Sequence, residues 1–200
     1  MKPILCILAG GRSSRFGSQK MLLRVGGKPI VSHLAQRLGG VCGQRWLSVA
    51  PGNELPPGAG GLDRIIADDV GFAGPLPAMA KILGAASGGA LAVIAAGDMP
   101  WVDAMHVRKM VELLRRRRDL LGVMSRWTSG EDAGLVEPLP SVWRAGRGAK
   151  LMQSAMQHGA GGPQQLAKWR RVMCVPMAGE SARRGFGNVN RREDAVGMGI

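Results

Sequence analysis

Short unbroken apolar runs alternate along this chain with stretches whose apolar residues recur every three or four positions. Residues 4–8, 45–50, 64–67, 91–96 and 120–124 are runs of the first kind, Ile4-Leu5-Cys6-Ile7-Leu8 and Leu91-Ala92-Val93-Ile94-Ala95-Ala96 being the clearest. Apolar runs of that length without polar alternation predict strands covered on both faces. Residues 30–38 are of the second kind, with Ile30, Leu34 and Leu38 on one face, Pro29 at the first helical position and Gly39-Gly40 as the stop. Residues 78–86 predict a second helix, and a third begins at Asp103 or just before it and runs to about Arg117. Beyond Arg126 the pattern predicts a strand entering a turn at 134–139, a helix over 141–158, a short helix over 164–168 and a last strand over 171–175.

Alternating strands and helices imply βαβ units. The expected fold is therefore α/β: a three-layer, mostly parallel, Rossmann-like sheet with helices on both faces and right-handed crossovers. No internal repeat or composition break divides the 200 residues, so a single domain over 1–200 is expected. In such folds ligands sit beyond the carboxyl ends of the strands. The glycine-rich stretch after Leu8 and the Gly97-Asp98 turn both follow strand ends directly, which brings them to one edge of the sheet.

Composition narrows the partners. The formal net charge is +13, which suits polyanionic ligands or an acidic partner protein. Arg115-Arg116-Arg117-Arg118 is the densest basic run, and it is expected as the solvated end of a helix, where cations suit the dipole. Tyr is absent and Phe occurs three times, so no stacking platform for nucleic acid is in view. No apolar run approaches membrane-spanning length and no signal segment precedes the first strand, so a cytoplasmic location is expected. Cys6, Cys42 and Cys174 form no zinc spacing and are expected to be reduced packing residues.

The candidate chemistry begins at Leu8-Ala9-Gly10-Gly11-Arg12-Ser13-Ser14-Arg15-Phe16-Gly17-Ser18-Gln19-Lys20. A glycine turn after a buried strand offers free N–H groups to an anion, and Arg12, Arg15 and Lys20 add positive charge. A nucleoside triphosphate is the simplest ligand for that set. The stretch is not a Walker loop, because Met21 follows Lys20, and it is not GxGxxG. Asp98 ends a buried strand, where it either holds Mg²⁺ or caps the next helix. Asp68 and Asp69 form a pair of carboxylates in a loop, with Asp68 slightly favoured. Asn188 and Asn190, two residues apart, face the same way if the segment is extended; read without further context they fit an Asn-rich turn leading into a C-terminal helix. The loop from Ser48 to Asn53, at the end of the second predicted strand, is a candidate for base contact by its position, with Asn53 its amide side chain. His33, His106 and His158 are expected as surface or packing residues.

The first motif resembles the LAGGxSxRMGxxK signature of the molybdenum cofactor guanylyltransferase family of nucleotidyltransferases. Gly97-Asp98-Met99-Pro100 resembles the family's CDMP. Asp68-Asp69 ahead of Gly74-Pro75-Leu76 resembles its aspartate before GPLAG, and Asn188-Val189-Asn190 with Glu193-Asp194 resembles NINTPEDL. Val136-Glu137-Pro138-Leu139 with Trp143 resembles the HPL-ALW segment of the acceptor side, followed by Arg144, Arg147 and Lys150 as candidate contacts for an acceptor phosphate.

The resemblance implies Mg²⁺-dependent transfer of GMP from GTP to molybdenum-loaded molybdopterin. It implies Arg15, Lys20 and Asp98 as catalytic residues, with Asp98 the metal ligand. Nucleotide contacts would come from Leu8, Ala9, Gly10, Gly11, Lys20, Asp68, Asp69, Asp98, Asn188 and Asn190. Molybdoenzymes or other proteins of cofactor biosynthesis are the implied protein partners; no membrane is expected, and a basic nucleic-acid binder is the remaining alternative, without a recognised binding motif. The chain departs from the pattern at Phe16 for Met, Gln19 for Asp, Pro77-Ala78 for Ala-Gly and Glu137 for His. A cytidylyl or sugar-phosphate nucleotidyltransferase and a non-catalytic polyanion-binding protein are the alternatives.

Overall fold

The computed structural model describes residues 1–9, 20–69, 74–86, 88–187 and 189. Its strands are β1 (Ile4–Leu8), β2 (Arg24–Val25), β3 (Lys28–Pro29), β4 (Arg45–Val49), β5 (Arg64–Ala67), β6 (Leu91–Ala96), β7 (Gly122–Trp127), β8 (Val136–Arg144) and β9 (Val172–Met177). Its α-helices are α1 (Ile30–Leu38), α2 (Pro75–Gly84), α3 (Ala104–Arg116), α4 (Ala145–Gln157) and α5 (Gly179–Gly185). Seven strands form one sheet in the order β5-β4-β1-β6-β8-β7-β9, and β2 and β3 make a separate two-stranded hairpin. Strand β8 runs antiparallel to β6 and β7, while the remaining neighbours pair in parallel.

Both faces of the sheet are covered, as the unbroken apolar runs require. In β1, Leu5 and Ile7 pack with α1 and α3 residues such as Leu34 and Val111, whereas Cys6 and Leu8 face α2 and α4 residues such as Met79 and Met152. Helix α1 buries Ile30, Val31, Leu34, Ala35 and Leu38, a stripe in which each large side chain contributes roughly 1.5–3 kcal/mol. Burial pushes the Cys42 thiol up to about 12 and the Cys6 thiol higher still, so both are inert packing groups. Cys174 is also free and only partly buried.

Most of the expected elements form, with two corrections. Residues 141–144 extend β8 instead of opening a helix, and α4 starts only at Ala145. Pro29, expected at the first helical position, instead ends the β2–β3 hairpin that turns through Gly26 and Gly27, both at positive φ, and α1 starts at Ile30. Within β8 the pairing with β7 shifts between Val123 and Ser125, and the Leu139–Pro140 bond is cis. Glycine is demanded at 122, where a Cβ would stand 2.2 Å from the fully buried Trp143 ring. Among the described residues, no helix is long and apolar enough to cross a membrane.

Candidate active site

The carboxyl ends of β5, β4, β1 and β6 are stitched together past their last paired residues. The Ala9 N–H donates to the Ser48 carbonyl (2.8 Å), the Gly97 N–H to the Leu8 carbonyl (2.9 Å) and the Asp68 N–H to the Val49 carbonyl (2.8 Å). A Cβ at Gly97 would lie 3.1 Å from the Leu8 oxygen and 2.9 Å from the Met21 sulfur. Glycine at this position therefore lets the β6 turn approach β1 and carries Asp98 to the point where the loop after β1 departs. That loop, with Gly10, Gly11 and Arg15, lies outside the described residues, as does the Lys20 side chain.

Two readings of Asp98 stood open, and the structure separates them. Helix α3 is capped by Asp103, whose Oδ1 accepts from the Met105 N–H at 2.8 Å. Asp98 is thus not the cap and stays in the turn, half-buried, with its carbonyl accepting from the Val189 N–H at 3.0 Å. Val189 is fully buried, so the returning C-terminal segment is anchored directly over the Asp98 turn. Asn188 and Asn190, on either side of it, lie outside the described residues.

Asp68 and Asp69 have different surroundings. The Ser48 hydroxyl, 1% exposed at the end of β4, donates to Asp68 Oδ1, fixing that carboxylate at the sheet edge. Asp69 points outward and pairs with Lys81 of α2, its side chain 78% exposed. The geometry therefore favours Asp68 as the inward group. Ser48 enters the sequence reading only as the start of the 48–53 loop proposed for base contact; its bond to Asp68, 20 positions away, has no local signal. Asn53 occupies the turn after β4, its N–H donating to the Ala50 carbonyl (3.2 Å), and its side chain is exposed at the same edge.

The far side of this edge is built from rings. Phe186, just after α5, meets His106 of α3 at 5.3 Å and Trp127 of β7 at 6.1 Å, both edge-on. Arg183 stacks over Trp127 (5.5 Å) and pairs with Asp132 (3.1 Å). His106 Nε2 lies 2.8 Å from the Ser125 hydroxyl, which is fully buried. Burial is the main cause holding the imidazole below its usual pKa, so this is a neutral packing pair. Glu137 stands opposite Ser125 in the β7–β8 ladder. Burial raises its carboxyl to about 7, against a backbone hydrogen bond at Leu139 that works the other way. Near neutral pH it is substantially a neutral acid, a group able to donate a hydrogen bond as well as accept one.

Two expectations for the acceptor side fail. Trp143 is fully buried against Gly122 and faces no ligand. Because β8 runs backwards, Arg144 pairs with Leu91 at the start of β6, so Arg144 and Arg147 stand at the opposite end of the sheet from Asp98.

Mg²⁺ is commonly held by one or two carboxylates together with substrate phosphates. Among the described residues no group of three or more His, Cys, Asp or Glu side chains is placed to hold a metal. The donor set at this edge, a single half-buried Asp98 in a strand-end turn, fits an ion shared with phosphate oxygens and not a protein-only cage.

Comparisons with known proteins agree with this architecture. A crystal structure of the molybdopterin-guanine dinucleotide biosynthesis protein A of Archaeoglobus fulgidus superposes with a TM-score of 0.74 at 17% identity, covering 98% of this chain and 96% of that one. The 2-C-methyl-D-erythritol 4-phosphate cytidylyltransferase of Thermus thermophilus superposes at 0.69 with 20% identity over 99% and 97%. These likenesses speak for the fold. In sequence, a Thermococcus sibiricus protein named "Probable molybdenum cofactor guanylyltransferase" is 28% identical over 137 residues, 68% of this chain and 66% of that protein. A Pyrococcus horikoshii protein of the same name is 30% identical over 72% of this chain and 70% of its own length. A Mycobacterium tuberculosis protein of that name is 35% identical, but the match spans only 54% of it. The model of the MobA-like NTP transferase domain matches residues 5–172, and the chain belongs to that family.

Proposed function

We propose that the protein transfers GMP from GTP to molybdenum-loaded molybdopterin, with release of pyrophosphate. The observation that carries this is the gathering of Asp98, Asp68 and the exit of the β1 loop at the carboxyl ends of adjoining parallel strands. The relatives' shared name, molybdenum cofactor guanylyltransferase, supports guanine and the molybdopterin acceptor.

In the reaction, an oxygen of the acceptor's terminal phosphate attacks the α-phosphorus of GTP. The bond from that phosphorus to the bridging β-phosphate oxygen breaks, and pyrophosphate carries the electron pair away. Gly10 and Gly11 cradle the phosphates, and Arg15 and Lys20 stabilise charge gathering on the leaving pyrophosphate. Asp98 would hold Mg²⁺, which when bound neutralises and aligns the phosphate oxygens. Asp68, oriented by Ser48, faces the ribose and base side, with Asn53 beside it. Glu137 and the ring cluster around Phe186 border the acceptor side.

Pyrophosphate release from purified protein with Mg²⁺ and molybdenum-loaded molybdopterin, offered GTP or CTP, tests this. Release with GTP alone is expected. Release with CTP alone would keep the mechanism and move the base. No release from folded, GTP-binding protein would favour a binding role.

A further inference from the structure

The amino ends of the strands carry a second concentration of function-bearing side chains. A cavity of about 1020 Å³ opens there, lined by Lys2, Arg115, Arg118, Arg144 and Arg147, with no Asp or Glu among its described lining residues. It is brought together by topology. The β8 reversal delivers Arg144 beside the start of β6, α3 ends there with its arginines, and α4 departs from it.

The cations are held at a cost. Arg144 donates to the carbonyls of Leu114 (2.6 Å), Leu120 (3.0 Å) and Arg117 (3.3 Å), which locks its guanidinium in the wall. Arg115 donates to the Met1 carbonyl at 2.8 Å. Burial, then the like charges of Arg147, Arg118 and Arg171, work against the protonated form of Arg144. Asp119 offsets part of this field but is itself tied to Arg117 by bonds of 3.0 and 2.9 Å. The first turn of α4 adds the positive end of its dipole, and Arg144 at its cap makes no side-chain capping bond.

We propose that this cavity binds a polyphosphate group, either free pyrophosphate or triphosphate or the tail of a nucleotide, at a site separate from the carboxyl edge. Five cationic groups facing one hollow match several negative charges on one ligand better than a single carboxylate. The planar guanidinium fork suits phosphate oxygens. The volume is that of a small-molecule cleft, typically ~300–1,000 Å³, which leaves room beyond a lone inorganic phosphate. Folded without a ligand, the site keeps its like charges in mutual repulsion, and a polyphosphate relieves it.

Hydrogen exchange read by mass spectrometry on the full chain, with and without sodium tripolyphosphate in metal-free buffer, tests the assignment. Protection is expected in peptides covering 88–91 and 144–148, with an affinity falling at least about tenfold in R118E/R147E. Both substituted side chains are exposed. R118Q/R147Q, which adds no negative charge, should show a smaller loss in the same direction. Repeating the titration with pyrophosphate and with GTP separates the free group from the nucleotide, and protection by either supports the site. Absence of protection at these segments would overturn it. So would protection unchanged in both variants, or equal protection by sulfate at matched ionic strength. Protection by a DNA oligonucleotide but not by tripolyphosphate would reassign the surface to nucleic acid.

Discussion

The two halves of the sheet end in different chemistry at the same edge. In β5-β4-β1-β6 the strands are parallel, and their carboxyl ends carry Asp68 and Asp98 on tight turns with small neighbours. In β8-β7-β9 one strand is reversed and its pairing is shifted. That side carries the buried rings of Trp127 and Phe186 and the half-buried Glu137, whose carboxyl is raised to about 7. The first half offers charge where it stays hydrated, which suits phosphates and a hard cation. The second has an apolar, ring-packed core beneath a half-buried, nearly neutral acid, and on the proposed reaction it would border the organic acceptor. On the proposed reaction, the two substrates would be divided by strand direction.

The sharpest way to break this division is at Asp98. Asp98→Asn should lower turnover by about 10³-fold or more if the carboxylate holds the metal against the phosphates. The melting temperature should move little, because Asn keeps the side chain's shape and hydrogen-bonding capacity and α3 is capped by Asp103. Near-normal turnover would remove charge from the first half's role. The mirror experiment is Gly122→Ala. Its Cβ would press on the Trp143 ring at 2.2 Å, and overpacking of that kind costs about 1–3 kcal/mol. Urea denaturation should show the loss, while turnover per folded molecule stays constant. A fall in turnover without a fall in stability would mean that Trp143 serves the site after all.

The two halves also differed in how far the sequence disclosed them. A parallel strand covered on both faces is a plain apolar run, and the Gly-Asp turn after β6 marks its end, so Asp98 and its edge were legible. Asp68 over Asp69 was a slight preference until Ser48 gave it a physical basis. The second half hid itself. Residues 141–144 continue into a true helix, and an apolar Ser-Val-Trp segment ahead of a helix fits its periodicity, so the pattern assigns only the first half of β8 to a strand and the second half to the helix's beginning. With β8 cut short at 139, the reversal that carries Arg144 to the opposite edge has no signal. The pair between His106 and Ser125 is a contact 19 positions apart in sequence, which no local pattern encodes. Helix α5, seven residues with glycine at both ends, is too short for periodicity to reveal.

Glu137 sharpens the comparison through pH. Its folded carboxyl is raised from 4.5 to about 7, so the native state holds this proton more tightly than the unfolded chain. The favourable contribution is full below pH 4.5 and is lost as pH rises toward 7, above which the buried charge is a fixed cost. Glu137→Gln imitates the protonated form. At pH 8 it should be more stable than the wild type by on the order of 2 kcal/mol, allowing for partial exposure, and the difference should vanish near pH 4.5. Melting curves at the two pH values decide it. A gain independent of pH would mean that packing, not ionisation, separates the side chains.

The smallest effects test the first half from within. Ser48→Ala removes the donor that orients Asp68 and should cost about 1 kcal/mol in stability, the ordinary value of such a bond. Because Asp68 then rotates freely at the nucleotide edge, KM for GTP should rise while kcat stays close to wild type. Asp69→Asn loses only an exposed pair with Lys81, worth under ~0.5 kcal/mol, and should leave both constants unchanged. The order of the two variants in KM carries the inference, since the adjacent carboxylates differ in their partners and in which way they face. If Asp69→Asn raised KM more than Ser48→Ala, the outward carboxylate would be the one that meets the nucleotide, and the inward hydrogen bond would be a feature of the fold alone.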